Sequence, residues 1–227
     1  MMSDPKRRAL WLAIACGVGL AGTGGCNYVA FLGQAFPQKV PATYSLPRRP
    51  TVVLVDDPRN LLGDPTLSVL IAQQIGDDLG RHAGMEQIVP PERVTGLMVR
   101  LEDDWRRTGV DQIGRSVGAA QVVHVHIERA VLSPDPGLVQ PMAVAQVKVI
   151  DAANRRRMFP GSPIEAGDDP DLVPSGQRVR VELLPRAAEI TDATRQAYQR
   201  KLADRIARDV GRLFYAYLPR QPGEPFE

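Results

Sequence analysis

Three residues in one short stretch have the types and spacing that metal chemistry uses. They are His124, His126 and Glu128 in QVVHVHIERAVL, residues 121–132. Side chains on a strand alternate between its faces, so H-x-H-x-E puts two imidazoles and a carboxylate on one side. Two imidazoles at i and i+2 can share a zinc or copper ion, with the carboxylate as a third ligand. His82, the remaining histidine, could join them only through the fold. A second candidate is the acid pair Asp56 and Asp57, which closes the apolar run TVVLVDD. Adjacent carboxylates at a strand end can hold a magnesium ion.

Each pattern also has a reading without chemistry. The acid pair resembles the opening of phosphorelay receiver domains, but a receiver needs a further carboxylate at a later strand end. The window where it would fall, GLMVRLEDD at 96–104, has a helical stripe. Asp56 and Asp57 are therefore expected to form a strand-to-loop exit, accepting backbone N–H groups. Gln146, Lys148, Arg178, Arg180 and Glu182 alternate with valines just as the histidines do. A sheet with one face on the core and one face wet produces that pattern with no ligand. The expectation is thus no metal and no cofactor. A metal-binding protein or metal-dependent enzyme using His124, His126 and Glu128 is the alternative.

No nucleophile stands out. Ser116 and Ser133 have no base near them in sequence. Arg155, Arg156 and Arg157 are expected as a solvated turn. No catalytic residue is assigned, and the chain is read as not an enzyme.

The amino terminus carries the clearest signal. Lys6, Arg7 and Arg8 precede the apolar run ALWLAIACGVGLAG, residues 9–22, and then TGGC ends in Cys26. An apolar run of 14 is short for a membrane span, which needs about 20 residues, and suits an export signal. Small residues before a cysteine resemble the lipobox of bacterial lipoproteins, although Thr23 stands where leucine is usual. Cys16 is the weaker alternative, because its apolar run would be shorter. Residues 1–25 are read as a lipoprotein signal peptide and Cys26 as the lipidation site, which makes membrane lipid the first partner. Asn27 is not the aspartate that retains some lipoproteins at the inner membrane, so an outer-membrane, periplasm-facing location is expected.

Cleavage there changes the charge balance. Three of 28 basic residues and one of 26 acids leave, giving 25 against 25. A neutral body lacks the electrostatic footprint of nucleic-acid binding. With Cys16 removed, no internal disulfide and no cysteine zinc site can form.

Residues 26–50, with Pro37, Pro41, Pro47 and Pro50, read as an extended lipidated tether. Residues 51–218 read as one domain. The whole chain of 227 residues is 44% apolar and only 5% aromatic, so aliphatic side chains must build the core. Thr51 to Asp56 predicts a buried central strand. Asp64 and Pro65 predict a helix start, with Leu67, Leu70, Ile71, Ile75 and Leu79 on one face. A short strand in GMEQIVP follows. Next comes a helical stripe of Val94, Leu97, Met98, Leu101 and Trp105, then a short helix after Gly109. Residues 121–132 and 139–151 predict a hairpin, RRMF a third short strand, and RVRVELL another alternating one. Residues 160–177 read as a long loop. A helix from about Thr191 and a disordered tail, 219–227, complete the chain. The fold expected is α/β (α+β), a single mixed sheet with helices packed on one face, in the order β-α-β-α-β-β-β-α.

IGRSVGAAQVVHVHIE, leading into a strand that ends VKVIDAANRRRMF, resembles the envelope domains typified by the TolB amino-terminal domain and the curli-secretion lipoprotein CsgG. Gly118 and Ala119 match the step before one strand, and Asp151 and Asn154 the turn after the next. The resemblance implies a non-catalytic α/β domain that contacts other envelope proteins, often as a symmetric homo-oligomer. It implies no site residues.

Overall fold

The strand TVVLVD forms as read from its unbroken apolar run, as β1, Thr51–Asp56. The computed structural model describes residues 38–133, 140–161, 172–173, 176–184 and 191–219. The export signal, Cys26, the tether up to residue 37, most of the 160–177 loop, the SPDPG hairpin loop from residue 134 and the tail from residue 220 lie outside the described residues.

Asp64 caps helix α1, Pro65–His82, by accepting from the Thr66 N–H, with Pro65 in the first turn. Leu67, Ile71, Ile75 and Leu79 are buried, and Leu70 is partly buried against the same core. The edge strand β2, Ile88–Val89, pairs parallel to β1. Helix α2, Pro91–Leu101, runs into a 3-10 turn, Glu102–Arg107, and then helix α3, Val110–Ser116. Strand β3, Gln121–Val131, lies parallel to β1 on the side opposite β2. Strand β4, Met142–Asp151, returns antiparallel to β3. Strands β5, Arg156–Phe159, and β7, Gly176–Glu182, both pair with β4, and β6, Leu172–Val173, pairs with β7. Helix α4, Asp192–Gly211, opens with a capping box between Thr191 and Thr194. The result is one mixed sheet in the order β2-β1-β3-β4-β7-β6, with β5 beside β4.

The α+β class and the single mixed sheet are as expected, but the helices do not keep to one face. Helices α1 and α4 cover one face, packing Ile71, Ile75, Leu202 and Ile206 on Val53, Val123, Val125 and Val147. Helices α2 and α3 lie on the other, packing Val94, Leu97 and Ile113 on Val52, Leu54 and Val122. Topology gives the reason. The chain crosses from β1 to β2 in one direction, then returns past β1 to β3 in the other. Right-handed crossovers of opposite direction place their helices on opposite faces.

Gly114 sets how closely α3 approaches. A Cβ there would lie 2.5 Å from the Val122 side chain. Gly118 follows with φ +81°, a left-handed turn that lets Ala119 bury before β3 begins. Both features of the Gly118–Ala119 step are therefore structural.

Residues 41–216 form one compact unit, and residues 1–40 with 217–227 a second. Of the second, the described part is a bridge in which Val40 and Tyr217 exchange backbone hydrogen bonds of 2.8 and 3.0 Å. Residues 41–50, expected within an extended tether, are packed into the larger unit. Leu46 is buried, and Tyr44 stacks on Phe159 at 5.1 Å. The Pro47 carbonyl accepts from the buried Gln121 amide at 2.8 Å, and Arg49 pairs with Asp151 at 3.0 Å. Prolines leave carbonyls free to accept, and here those carbonyls satisfy polar groups at the ends of β1 and β3.

Candidate functional site at the end of strand β1

The two acids that close β1 do different work. Asp57 turns the chain. Its oxygens accept the Leu61 and Leu62 N–H groups at 2.8 and 2.9 Å, as a strand-to-loop exit requires. Asp56 does not share that role. Parallel register places it beside His126 on β3, and its Oδ2 lies 3.0 Å from His126 Nδ1. His124 Nε2 is 3.8 Å from the same oxygen, too long for a hydrogen bond. The imidazoles, His124 and then His126, hold the Asp56 carboxyl below its usual range, against the opposing effect of partial burial.

The cluster sits where this topology favours a site. The chain changes direction at β1, and the crevice beyond the carboxyl ends of β1 and β3 is the switch point of the parallel part of the sheet. Asp56 and His126 occupy it, with side chains 41% and 33% exposed.

His124 differs from the expectation of a wet outward residue. Its side chain is 11% exposed, because Leu54 stands beside it in register and the α2–α3 layer covers that end of the face. Its Nδ1 is buried and has no hydrogen-bond partner. The valines expected inward, at 123, 125, 147, 149, 179 and 181, with Ile127, are all buried.

Glu128 does not join the histidines. A bulge between Ile127 and Arg129 shifts the strand there. Glu128 accepts from the Gln146 amide at 3.0 Å and faces Arg178 at 4.0 Å. Its place near the imidazoles is taken by Asp56, which spacing within one strand could not have supplied. Among the described residues no three His, Cys, Asp or Glu side chains are placed to hold a metal. His82 lies elsewhere, its ring 4.8 Å from that of Tyr215. A surface groove of about 340 Å³ between α1 and β2 is lined by Ala72, Gly76, Gly80 and Ile88, and contains none of the cluster.

The other end of the hairpin is a turn lock. Asp151 Oδ1 accepts the Ala153 and Asn154 N–H groups at 3.0 and 2.9 Å. Its Oδ2 takes Asn154 Nδ2 at 3.1 Å and Arg49 at 3.0 Å. The Asn154 backbone bond, then its side chain and Arg49, bring the Asp151 carboxyl down to about 2 against the effect of burial. Asp151 and Asn154 thus hold the turn in place.

The fold defines the class of the protein as a mixed α+β domain. No family model and no curated protein matches the chain. Solved structures do share the outline. They include the PelC dodecamer from Paraburkholderia phytofirmans, with 13% identity, 78% of this chain and 96% of that one covered, and a TM-score of 0.38. Lipoprotein GNA1162 from Neisseria meningitidis shares 10% identity over 70% of this chain and 94% of that one, at a TM-score of 0.35. A provisionally assigned lipoprotein from Caulobacter crescentus CB15 gives 13%, 71%, 84% and 0.35. Similarity at this level carries nothing about activity or partners.

Proposed function

We propose that the protein is a lipid-anchored component of a bacterial cell envelope that works by binding other envelope proteins, without catalysis of its own. The observation that carries the reading is the amino-terminal sequence: three basic residues, an apolar run at 9–22, and Thr23-Gly24-Gly25 before Cys26. Among the described residues no helix is long and apolar enough to cross a membrane. A thioether lipid at Cys26 would supply the attachment, since each buried methylene contributes about 0.8 kcal/mol and two or more chains hold stably. Confinement near a membrane raises the effective concentration of any partner held there.

The binding role is supported by the sheet. Beyond the α2–α3 layer no described element covers the face bearing Asp56, His126, Gln146 and Arg178, and these four stand in one cross-strand row. The Gly118–Ala119 step and the Asp151–Asn154 turn fit the resemblance to TolB-type and CsgG-type envelope domains, which favours a protein-contacting role and self-association. Mass spectrometry of the native protein tests the anchor. The expected mature chain begins at an acylated Cys26, and Cys26→Ser leaves the membrane fraction. A full-length chain in the cytosol with residues 1–25 attached would overturn the proposal.

A further inference from the structure

Residues 41–49 lie as a strap at the amino-terminal ends of β1 and β3, and their hold is thin. Only Leu46 among them is buried, while Pro41, Thr43, Ser45 and Arg48 are exposed. The other ties are single contacts. The Tyr44 N–H donates to the Leu213 carbonyl at 2.9 Å, and its ring stacks on Phe159. The Pro47 carbonyl accepts from Gln121. Arg49 donates to Asp151 and, at 3.1 Å, to the Met158 sulfur, a weak acceptor. The seam also leaves one buried donor and one buried acceptor without partners, Arg49 Nε and Gln121 Oε1. Few buried apolar contacts and unmatched polar groups are the marks of a segment that opens by itself.

Across that seam the sheet keeps partners of its own. Gln121 Nε2 also donates to Thr51 Oγ1 at 2.7 Å. Asp151 retains the Ala153 and Asn154 N–H groups, and Phe159 packs edge-on against Phe214 at 6.2 Å. Each of these three groups therefore stays engaged when the strap leaves. The strap also has a fixed far end. The Pro50 carbonyl accepts from the Ala120 and Gln121 N–H groups at 2.8 and 3.1 Å.

We propose that residues 41–49 are a releasable strap that sets the reach of the tether. With the strap docked, the first held residue among those described is Val40, in its bridge with Tyr217. The chain from Cys26 to Val40 then spans at most about 48 Å. Once that bridge parts and the strap peels back to Pro50, the chain from Cys26 spans at most about 82 Å. The contacts follow one another along the segment, so a pull from the anchor breaks them singly rather than together. A partner held farther from the membrane is then met without unfolding the sheet. The gain in reach rests on the lipid-anchor reading. The release does not, and it is measured separately.

Release is tested by amide hydrogen exchange on the native protein in detergent micelles, comparing Tyr44 with Val123, which is fully buried in β3 between β1 and β4. Tyr44 should exchange at least tenfold faster than Val123. Ile75→Ala should speed Val123 and leave Tyr44 unchanged, because it weakens the sheet whether the strap is docked or free. If both amides speed up together, strap and sheet open as one unit and the inference is overturned. Leu46→Asp combined with Arg49→Ala should strip Tyr44 of protection while Val123 keeps its own; loss of protection at both would also overturn it. Reach is read on vesicles of phosphatidylethanolamine and phosphatidylglycerol carrying a rhodamine lipid, with a donor dye on Val99→Cys, a position 71% exposed. The Leu46–Arg49 double variant should transfer less energy to the bilayer than the protein with its strap intact, and equal transfer would overturn the tether role. A protein that never binds the vesicles would sink the anchor reading instead, with the exchange result still deciding the strap.

Discussion

The two faces of the sheet are built on the same strands and follow different rules. On the α1–α4 face, alternate residues of β1, β3, β4 and β7 are aliphatic, and two long helices lay Ile and Leu rows across them. On the other face, the short helices α2 and α3 cover Val52, Leu54 and Val122 but stop there. Past them the same strands carry Asp56, His126, Gln146, Lys148 and Arg178, all only partly buried. The contrast separates two jobs. One face supplies hydrophobic burial, which is insensitive to chemical detail. The other keeps paired and unpaired polar groups whose value depends on what meets them.

The sharpest way to break this comparison is to remove mass from the aliphatic face. Ile75 is fully buried among residues of α1, α4 and the sheet. Ile75→Ala should cost about 2–5 kcal/mol, through lost burial and the cavity left behind. Urea unfolding followed by circular dichroism would measure it. A loss no larger than that of a polar-face substitution would mean that the α1–α4 layer is not the stabilising one.

The next effect belongs to neither face but to the turn that joins β4 to β5. Asp151→Ala removes the acceptor for two backbone N–H groups and the partner of Arg49. The expected cost is about 2–3 kcal/mol. The same carboxyl predicts a pH dependence. Its folded value, about 2, lies below its ordinary 3.8. The stabilisation it gives is therefore present above pH 3.8 and is lost as pH falls toward about 2. Thermal melts between pH 5 and pH 2 should drop more steeply for the wild type than for Asp151→Ala; parallel curves would refute the assignment.

How much of this was legible follows from what was local. The Asp64–Pro65 cap, the Leu67–Leu79 stripe and the alternation of β3, β4 and β7 are short-range patterns, and each is found in place. The split of helices between two faces was not, because it depends on β1 lying between β2 and β3, a fact of pairing that no single segment contains. The site failed for the same reason. H-x-H-x-E correctly puts His124 and His126 on one side of β3, but the bulge at Glu128 diverts the carboxylate, and Asp56 arrives from a parallel neighbour. Asp56 and Asp57 were visible as a pair; only register could assign one to a histidine and the other to a loop. Residues 41–50 look like linker by composition, yet Leu46, Pro47 and Arg49 complete the buried end of β1 and β3.

The smallest expected effect sharpens the polar face. His126 and Asp56 form a pair with both side chains more than a third open or close to it, 33% and 41%. Partly exposed pairs of this kind contribute below about 1 kcal/mol, so His126→Ala should leave the unfolding midpoint nearly unchanged. Its effect should appear in Asp56 instead. His124 and His126 both favour the charged carboxylate, and with one removed its titration, followed by carboxyl-carbon NMR, should move up toward the ordinary range. His124→Ala should move it as well, while opening a gap beside Leu54 and so costing more stability than His126→Ala. A large loss of stability for His126→Ala with no movement of Asp56 would place the pair among structural contacts, and the difference between the two faces would narrow to one of covering alone.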